Sequence, residues 1–402
     1  MRPFTSTISL DEARKRLEAN IHPIDRVEHV RIEDAAGRVA SSDVASPIDV
    51  PPFARSAMDG YAVIAADTQD ASRSTPVELH LLDRIYTGQP STVTVVRGAC
   101  AEIATGAPLP DGADAVVMVE ETARATDGRI QILAKAAAGQ NIGKRGADIA
   151  NGDRVVSSGD VLTPSRIGAL AAIGRAGVDV FAKPRVAILS TGNEVVAPGE
   201  SLAPGQIYDV NRFTLGAIVS AHGGIPEPHH PAEDTIDALV AALDRSAQAD
   251  LVVFSGGSSV GERDLIVDAI ASRGDMIFHG IAVKPGKPTA FALVKGTPFF
   301  GMPGNPTSCL SNAYILLVPF LRALARLPPH TPRTLRLPLG RRIVSAAGRH
   351  QFYAVRVRDG AAFPAFKGSG DITSLSQADG YLEIPATEST VEEGAIIDVT
   401  LF

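Results

Sequence analysis

Two lysines in the segment KPGKP, Lys284 and Lys287, stand on either side of a Pro-Gly pair. The preceding turn, SGGSSVGERD, supplies hydroxyl and carboxyl groups, among them Ser259 and Asp264. Lysine cations bind phosphate oxygens, and carboxylates are the hard oxygen ligands that a divalent metal ion prefers. These residue types predict a site for a phosphorylated ligand with a metal ion. The structural alternative is that each turn is only a connection, because Gly and Pro are the commonest turn residues.

Both turns, and the third turn GMPGNP, follow apolar runs that predict strands. These runs are LVVFS before Gly256, FHGIAV before Lys284 and PFF before Gly301. In open α/β sheets, ligands bind outside the carboxyl ends of the strands, where backbone N–H groups and helix N-termini face solvent. The sequence therefore predicts the functional site at this edge of a sheet.

Four further acids lie in turn-rich segments: Asp59 in RSAMDGYAV, Asp148 in KRGADI, Glu194 in STGNEV and Asp234 in PAEDT. An Asp before Gly is usually a turn former, so Asp59 has a structural interpretation beside the functional one. Asp148 is equally compatible with a solvated loop charge. The spacings alone leave both alternatives open.

The sequence lacks the standard nucleotide-binding motifs. The segment from Gly256 to Gly261 is similar to a P-loop, but Glu262 stands where the lysine is required. No G-x-G-x-x-G follows a predicted strand near a helix start, and no G-x-S-x-G elbow occurs. A conventional kinase or dehydrogenase is therefore disfavoured.

Length and composition predict a globular protein of two to four domains, with 402 residues, 45% apolar content, 37 Gly and 28 Pro. The net charge of −7 argues against nucleic-acid partners. Cys100 and Cys309 have no metal-ligand spacing, so zinc and disulfides are not expected. The N-terminus has no apolar signal region and no run reaches the roughly 18 apolar residues of a membrane helix. We expect a cytoplasmic protein without a membrane partner.

Periodicity divides the chain into four predicted domains. Residues 1–45 and 140–177 form an α+β domain, and 46–139 form a small β-rich domain. Residues 178–326 alternate strands with helices, which predicts a three-layer αβα domain with a parallel-rich sheet. The prolines after Leu327 mark a linker, and 327–402 read as a β-barrel or sandwich.

Helix and strand signals support this division. Ser9-Leu-Asp-Glu12 is a capping box that predicts a helix over about 10–19, with Leu10, Ala13 and Leu17 on one face; residues 1–26 are expected to pack on the αβα domain. Further helices are predicted after Thr163-Pro164, Asn211, Glu262 and Asn305-Pro306, the last running to about Leu327. Predicted strands include residues 27–44, VELHLL, STVTVV, AVVMV, VAILS, RTLRLPL, FYAVRV, YLEIP and AIIDVTL.

Eight motifs follow one another along the chain: PPFARSAMDGYAV, ATGAPLPDGADAVVMVE, GQNIGKRGADI, STGNEV, GQIYDVN, SGGSSVGERD, KPGKP and GMPGNP. In this order they resemble the motifs of the MoeA family of molybdopterin molybdenumtransferases, which includes the E domain of gephyrin. The resemblance covers about residues 5 to 380. It implies a MogA/MoaB-like αβα domain, an elongated α+β domain, a small β domain and a C-terminal β-barrel.

The resemblance also implies an activity. The enzyme would bind adenylylated molybdopterin, cleave its phosphoanhydride and insert molybdate into the dithiolene, giving molybdenum cofactor and AMP with Mg²⁺. A homodimer would hold the active site between the αβα domain of one subunit and parts of the other. Molybdopterin adenylyltransferase and molybdoenzyme maturation factors are candidate partners.

Site roles follow from the same resemblance, position by position. Asp264 and Glu194 would lie near the metal, with Lys284 and Lys287 on anionic oxygens. Ser259 and the amides around Gly256 and Gly257 would hold the pterin phosphate. The remaining positions complete the same cleft: Asp59, Asp148, Thr105, Asp234, Pro303 and Pro306, with Arg349 and Ser369 in an oxyanion-binding region.

Two other functions compete with this interpretation. A molybdopterin adenylyltransferase resembles residues 178–326 alone and does not need the rest of the chain. A scaffold of the gephyrin type would cluster other proteins, but the linker-poor sequence shows no peptide groove.

Overall fold

The computed structural model describes residues 7–192, 194–229, 235–246, 248–256, 265–271, 273–345 and 348–402. The chain forms two compact units. One is His29–Val180, and the other joins Met1–Glu28 to Phe181–Phe402. The helices are α1 (Leu10–Glu18), α2 (Pro164–Ala172), α3 (Asn211–Ala221), α4 (Ile236–Arg245), α5 (Leu265–Ala271), α6 (Pro306–Asn312), α7 (Val318–Leu324) and α8 (Thr373–Ser376).

The first twelve strands belong to the His29–Val180 unit or lead into and out of it. They are β1 (Val27–Arg31), β2 (Val44–Ala45), β3 (Arg55–Ser56), β4 (Gly60–Val63), β5 (Val77–Ile85), β6 (Ala99–Ile103), β7 (Ala115–Met118), β8 (Thr122–Arg124), β9 (Ile130–Ile132), β10 (Ile142–Gly143), β11 (Arg154–Val156) and β12 (Gly177–Phe181). Six of them form a sheet in the order β7-β4-β6-β5-β9-β8.

Strand β4 shows how this sheet is buried on both faces. Tyr61 and Val63 enter one apolar cluster, and Ala62, between them, enters another. This is the period of two that a strand imposes on its side chains. The predicted strands VELHLL and AVVMV are confirmed as β5 and β7. The predicted strand STVTVV is wrong, because only Thr94 makes an isolated β-bridge, to Asp111.

The other predicted strand of this unit, residues 27–44, is interrupted. A 3-10 turn at Ile32–Asp34 separates β1 from β2. Helix α2 begins where predicted, with Thr163 as its N-cap and Pro164 in the first turn. Its buried Leu170 packs in a cluster with Val156 and Val180.

The remaining strands lie in the second unit. They are β13 (Arg185–Ser190), β14 (Val195–Val196), β15 (Ile207–Tyr208), β16 (Ile225–Pro228), β17 (Leu251–Ser255), β18 (Gly274–His279), β19 (Val283–Lys284), β20 (Ala290–Val294), β21 (Thr297–Met302), β22 (Thr334–Pro338), β23 (Ile343–Val344), β24 (His350–Arg358), β25 (Ala361–Pro364), β26 (Gly380–Ile384), β27 (Thr390–Val391) and β28 (Ile396–Leu401).

A six-stranded sheet in the order β16-β13-β17-β21-β20-β18 forms the centre of this unit. Strands β16, β13, β17 and β21 pair in parallel, and β20 and β18 pair antiparallel. Along β13, Val186 and Ile188 enter a cluster shared with α1, α3 and the helical run after Pro306. The alternate residues Ala187 and Leu189 enter a cluster shared with α4 and α5. Helices therefore cover both faces of the sheet.

Two helix predictions are confirmed at the residues where the helices begin. In α1, the Ser9 hydroxyl caps the amide of Glu12 at 3.1 Å, and Leu10, Ala13 and Leu17 are buried. The helical run after Asn305 starts at Pro306 as predicted but ends at Leu324. Its middle, Ala313–Leu317, is π-helical. The wider turn lies just before Pro319, whose missing N–H and bulky ring disrupt the regular α-helical ladder.

The run Pro306–Leu324 is long and apolar enough to cross a membrane, judged by length and composition alone. However, 72% of the 18-residue stretch that meets this criterion is buried within the protein. It supplies much of the core of its unit, including Phe320 against Phe291 and Phe300. Each such buried aromatic contributes about 1.5–3 kcal/mol by leaving water.

The predicted strand FHGIAV is divided between two sheets. Strand β18 ends at His279 in the central sheet, whereas β19 pairs in parallel with β24. Strand β24 belongs to a second sheet in the order β19-β24-β26-β28-β22. The four strands predicted after residue 333 are confirmed as β22, β24, β26 and β28.

Candidate active-site cleft

A cleft of about 1180 Å³ lies at the carboxyl edge of the parallel strands, within the unit of Met1–Glu28 and Phe181–Phe402. Ser190, Ser255 and Met302 are level with one another across β13, β17 and β21. The residues that follow them, Thr191, Gly256 and Pro303, line the cleft. The cleft is also lined by Glu194, Asp209, Asn211, Lys284, Gly286, Lys287, Gly304, Asn305, Pro306, Arg349 and Ser369.

A buried carboxylate organises the floor of the cleft. Asp209 is 3% exposed and accepts a hydrogen bond from the Ser190 hydroxyl at 2.8 Å. It also accepts from the backbone N–H of Arg212 at 3.0 Å, and the Arg212 guanidinium lies 3.6 Å from its second oxygen. The charge of Asp209 is thus matched within the protein, so the carboxylate holds the start of α3 against β13.

Asn211 ties two strand-end turns together. Its Nδ2 donates to the Ser255 hydroxyl at 2.7 Å and to the Gly304 carbonyl at 2.8 Å. Because a carbonyl can only accept, the amide must present its nitrogen to Gly304. The end of β17 and the GMPGNP turn are therefore held at a fixed separation.

Gly256 is required where the ends of β13 and β17 approach each other. Its φ is +113°, and a Cβ built there would lie 2.4 Å from the Thr191 carbonyl oxygen. The N–H of Thr191 donates to the Ser255 carbonyl at 3.1 Å. A side chain at this position would push apart the two turns that line the cleft.

Glu194 supplies an exposed carboxyl group at the cleft, on the turn between β13 and β14. Its carbonyl accepts from the N–H of Ile207, which joins this turn to β15. Among the residues that the structure describes, no three His, Cys, Asp or Glu side chains cluster as a metal site.

The KPGKP turn, residues 284–288, begins in β19 of the second sheet and leads to β20 of the central sheet. Lys284 lies in β19 opposite Gln351 of β24, and β20 resumes at Ala290 in the central sheet. Lys284 and Lys287 are both half-buried and both line the cleft. Arg349, exposed just before β24, lines the same cleft and adds a third cation.

Ser369 joins the cleft wall to the GMPGNP turn. Its hydroxyl accepts from Asn305 Nδ2 at 3.1 Å, and its carbonyl accepts from the Thr307 amide at 3.1 Å. Pro303 and Pro306 lie on that turn and line the cleft. The structure thus brings together eight of the predicted site residues: Glu194, Gly256, Lys284, Lys287, Pro303, Pro306, Arg349 and Ser369. Asp234, Gly257, Ser259 and Asp264 lie outside the described residues.

Asp59 and Thr105 form a pair in the His29–Val180 unit. Asp59 Oδ1 accepts from the Thr105 N–H at 2.7 Å and from its hydroxyl at 2.9 Å. These bonds, the backbone bond first, hold the pKa of Asp59 below its usual range. Both residues are exposed, so this unit presents a fixed, ionised carboxylate to solvent.

Asp148 lies in the loop that follows β10, and β10 pairs with β3, the strand just before Asp59. Strands β3 and β10 pair antiparallel, with Ser56 opposite Ile142 and Arg55 opposite Gly143. Asp59 follows β3 and Asp148 follows β10, so the two acids extend from opposite ends of this ladder. The loop that carries Asp148 is held by Asp49, which accepts from Arg145 at 2.7 Å and from the Asn151 amide at 2.9 Å.

Several organising residues were not singled out by the sequence analysis. Asp209 and Asn211 belong to GQIYDVN, where an Asp and an Asn just before a helix look like ordinary capping residues. The signal that could have found them is their position in the predicted αβα domain, between the STGNEV turn and the helix predicted after Asn211. The two cysteines are buried, and burial raises the pKa of Cys100 and of Cys309 to about 12, so both thiols are protonated at neutral pH.

The fold and the cleft define a multidomain protein whose α/β unit presents cations at the ends of its parallel strands. Three family models match the chain in order: the MoeA N-terminal region (domain I and II) over 8–174, a probable molybdopterin binding domain over 187–323, and the MoeA C-terminal region (domain IV) over 336–402. The chain belongs to the MoeA family of molybdopterin molybdenumtransferases.

Relatives match along nearly the whole chain. Molybdopterin molybdenumtransferase 2 of Mycobacterium tuberculosis is 35% identical, over 96% of this chain and 98% of its own length. Molybdopterin molybdenumtransferase of Haemophilus influenzae is 32% identical, over 98% of each. A crystal structure of a molybdopterin biosynthesis MoeA protein from Pyrococcus horikoshii is 40% identical, with a TM-score of 0.86 over 98% of this chain and 99% of that one.

Proposed function

We propose that this protein inserts molybdenum into adenylylated molybdopterin, releasing AMP and giving molybdenum cofactor. The observation that carries the proposal is the cationic cleft, with Lys284, Lys287 and Arg349, in a chain of the MoeA family. Both substrates bring oxyanions, the phosphoanhydride and molybdate, and charge-assisted hydrogen bonds from cations bind such groups strongly.

The cleft residues have distinct proposed tasks. Lys284 and Lys287 bind the phosphate or molybdate oxygens and stabilise the charge that develops as the phosphoanhydride is cleaved. Arg349 and Ser369 form an oxyanion-binding region. The amides around Gly256 and Gly257, with Ser259, hold the pterin phosphate, and Asp234, Pro303 and Pro306 complete the walls.

Mg²⁺ is the proposed metal. It commonly takes one or two protein carboxylates and fills its other positions with substrate phosphates and water. The exposed Glu194 carboxyl fits that donor set, whereas Asp209 is already matched by Arg212. Asp264 is the proposed second ligand. When bound, the ion would neutralise negative charge on the phosphoanhydride.

The working unit is proposed to be a cytoplasmic homodimer. Asp59, Thr105 and Asp148 of one subunit would complete the cleft that the other subunit builds from its αβα domain. At the level of domains, we infer a three-layer αβα domain (178–326), an elongated α+β domain (1–45 and 140–177), a small β domain (46–139) and a C-terminal β-barrel (327–402). Molybdopterin adenylyltransferase and molybdoenzyme maturation factors are the proposed partners.

Molybdate-dependent release of AMP tests the proposal. Purified protein is incubated with adenylylated molybdopterin and Mg²⁺, with and without molybdate, and the product is offered to a molybdenum-free apoenzyme. We expect AMP release together with activation of the apoenzyme only when molybdate is present. A protein that instead forms adenylylated molybdopterin from molybdopterin and ATP, and does not consume it, would contradict the proposal.

A further inference from the structure

The turn that carries the two lysines rests on a buried amide from a different element. Asn312, the last residue of α6, is fully buried, and its Nδ2 donates to the Gly286 carbonyl at 2.8 Å. The same Nδ2 donates to the hydroxyl of Thr289, also fully buried. The Thr289 hydroxyl in turn donates to the Gly286 carbonyl at 2.9 Å. Asn312, Thr289 and Gly286 therefore close a three-membered ring of hydrogen bonds, called here the amide lock.

The chemistry of the partners fixes the orientation of the Asn312 amide. The Gly286 carbonyl can only accept, so Asn312 must present its nitrogen and not its oxygen. An aspartate of the same shape could not replace it, because two acceptors would then face each other in a buried place. The lock is thus specific for a side-chain donor at this position.

Only glycine allows the amide to lie against the turn. Gly286 has a φ of +102°, and a Cβ built on it would lie 2.2 Å from Asn312 Nδ2. The glycine between the two lysines therefore serves the contact with Asn312 as well as the turn itself.

The amide lock lies between the two lysines along the chain. Gly286 immediately precedes Lys287 and follows Lys284 by two residues. The Lys287 carbonyl accepts from the amides of Ile281 at 3.0 Å and Thr289 at 2.9 Å. One hydrogen-bonded unit thus fixes the backbone from which both cations extend into the cleft.

We propose that Asn312 is a positioning residue: with Thr289, it holds the KPGKP backbone so that Lys284 and Lys287 are presented together to the anionic ligand. The lock rests on the proposed function only for the identity of that ligand. Helix α6 begins at Pro306 in the cleft wall and ends at Asn312, so the same helix sets both the wall and the lysine turn.

Two readouts test the amide lock in the full-length protein. The first needs no ligand: hydrogen exchange measured by mass spectrometry on peptides covering residues 280–290, which contain the protected amides of Ile281 and Thr289. The second is calorimetric binding of AMP and of molybdate. The variants are Asn312→Ala and Thr289→Val, the second of which keeps the shape of the side chain. Phe320→Leu is the matched control, since it removes buried contacts farther along the same helical run.

We expect exchange in residues 280–290 to rise at least tenfold in both lock variants, and affinity for the anions to fall about tenfold. Phe320→Leu should lower the melting temperature but change neither readout. The double variant should lose no more affinity than the stronger single variant, because both residues act on one carbonyl. Unchanged exchange in both variants, or equal changes in Phe320→Leu, would overturn the proposal. If the wild-type protein fails to bind AMP, the proposed function is contradicted. The amide lock is still tested in that case, because the exchange measurement needs no ligand.

Discussion

Some charged side chains of the cleft pair with other groups of the protein, and others are proposed to bind a ligand. Asp209 is matched by the Arg212 guanidinium and accepts a hydrogen bond from Ser190, so its charge is already balanced within the protein. The two lysines and Arg349 line the same cleft. The described part of the cleft therefore favours anions, and the carboxylates that would hold a metal are Glu194 and, by prediction, Asp264.

Replacement of the lysines tests their role directly. Lys284→Ala and Lys287→Ala should each weaken binding of adenylylated substrate by about 1.5–3 kcal/mol, the scale of a charge-assisted hydrogen bond. Calorimetry provides the measurement. Lys295→Ala is the control, because that lysine pairs with Asp244 on the surface and such pairs contribute little. Native affinity in both cleft variants would show that these lysines are only surface charges.

Asp264 is expected to serve catalysis more than folding. Asp264→Asn keeps the volume of the side chain and removes its charge, so cofactor formation should fall at least ~10²-fold, as when an electrostatic stabiliser is lost. Its melting temperature should barely change. Asp268→Asn, an exposed acid on α5, is the matched control and should remain active. Near-native molybdate insertion by Asp264→Asn would remove Asp264 from the mechanism.

The sequence predicts the residues of the cleft better than the contacts that hold them. Lys284, Gly256 and Pro303 could be placed because each follows an apolar run, and strand ends meet at one edge of a parallel sheet. Asn312 could not be found, because it lies inside a helical run where a buried polar residue gives no periodic signal. Its function depends on Gly286, which is 26 residues away.

At the scale of elements, the largest error is the strand FHGIAV. A run of apolar residues predicts extended chain but not its partner. Gly280 has a φ of +93°, and its N–H bonds the Thr289 carbonyl, so the chain leaves the central sheet there. The following residues pair with β24, which is about 70 positions later in the sequence. Such a two-residue pairing cannot be read from local pattern.

A second element carries a pH dependence. His222, at the end of α3, is 8% exposed and packs its ring against that of His330, with 5.0 Å between centroids. Burial lowers the pKa of His222 to about 4, with His330 and Arg322 acting in the same direction. Between pH 6.5 and 4 the unfolded chain therefore binds a proton that the folded protein does not. The free energy of unfolding should fall as the pH falls through this range.

Urea unfolding at pH 5, 6, 7 and 8 measures this effect. One such proton changes the free energy of unfolding by at most about 1.4 kcal/mol per pH unit. His222→Gln should flatten the wild-type pH dependence by up to that amount below pH 6. The difference between variant and wild type should change little from pH 7 to 8, where most of the imidazole is neutral in both states. An unchanged acid slope in the variant would show that His222 does not titrate on unfolding.

At the scale of the whole molecule, the chain forms two compact units, and the boundaries of the four domains stay a prediction. Residues 181–326 and 327–402 fall in one unit, and the β19–β24 pairing joins their sheets. The family models extend over 8–174 and 336–402 as well as the molybdopterin-binding domain. The relatives named molybdopterin molybdenumtransferase match over nearly the whole chain, flanking parts included, so molybdenum transfer is the activity that these relatives support.

In the proposed homodimer, two chains together build each molybdate-inserting cleft. Asp59 is held ionised by Thr105 in the His29–Val180 unit, whereas the lysines lie in the other unit. If each cleft takes Asp59 from one subunit and Asp264 from its partner, Asp59→Ala and Asp264→Ala homodimers are both inactive. In a symmetric dimer, a mixed pair then contains one intact cleft and one that lacks both acids.

Subunit mixing measures this directly. Equal amounts of the two differently tagged variants are exchanged, mixed dimers are confirmed by capture on both tags, and molybdate-dependent AMP release is assayed. Random pairing makes about half of the dimers mixed, each with one working cleft, so about a quarter of wild-type activity should return. If mixed dimers are captured and the mixture stays as inactive as its parents, the shared cleft is wrong and both acids act within one chain.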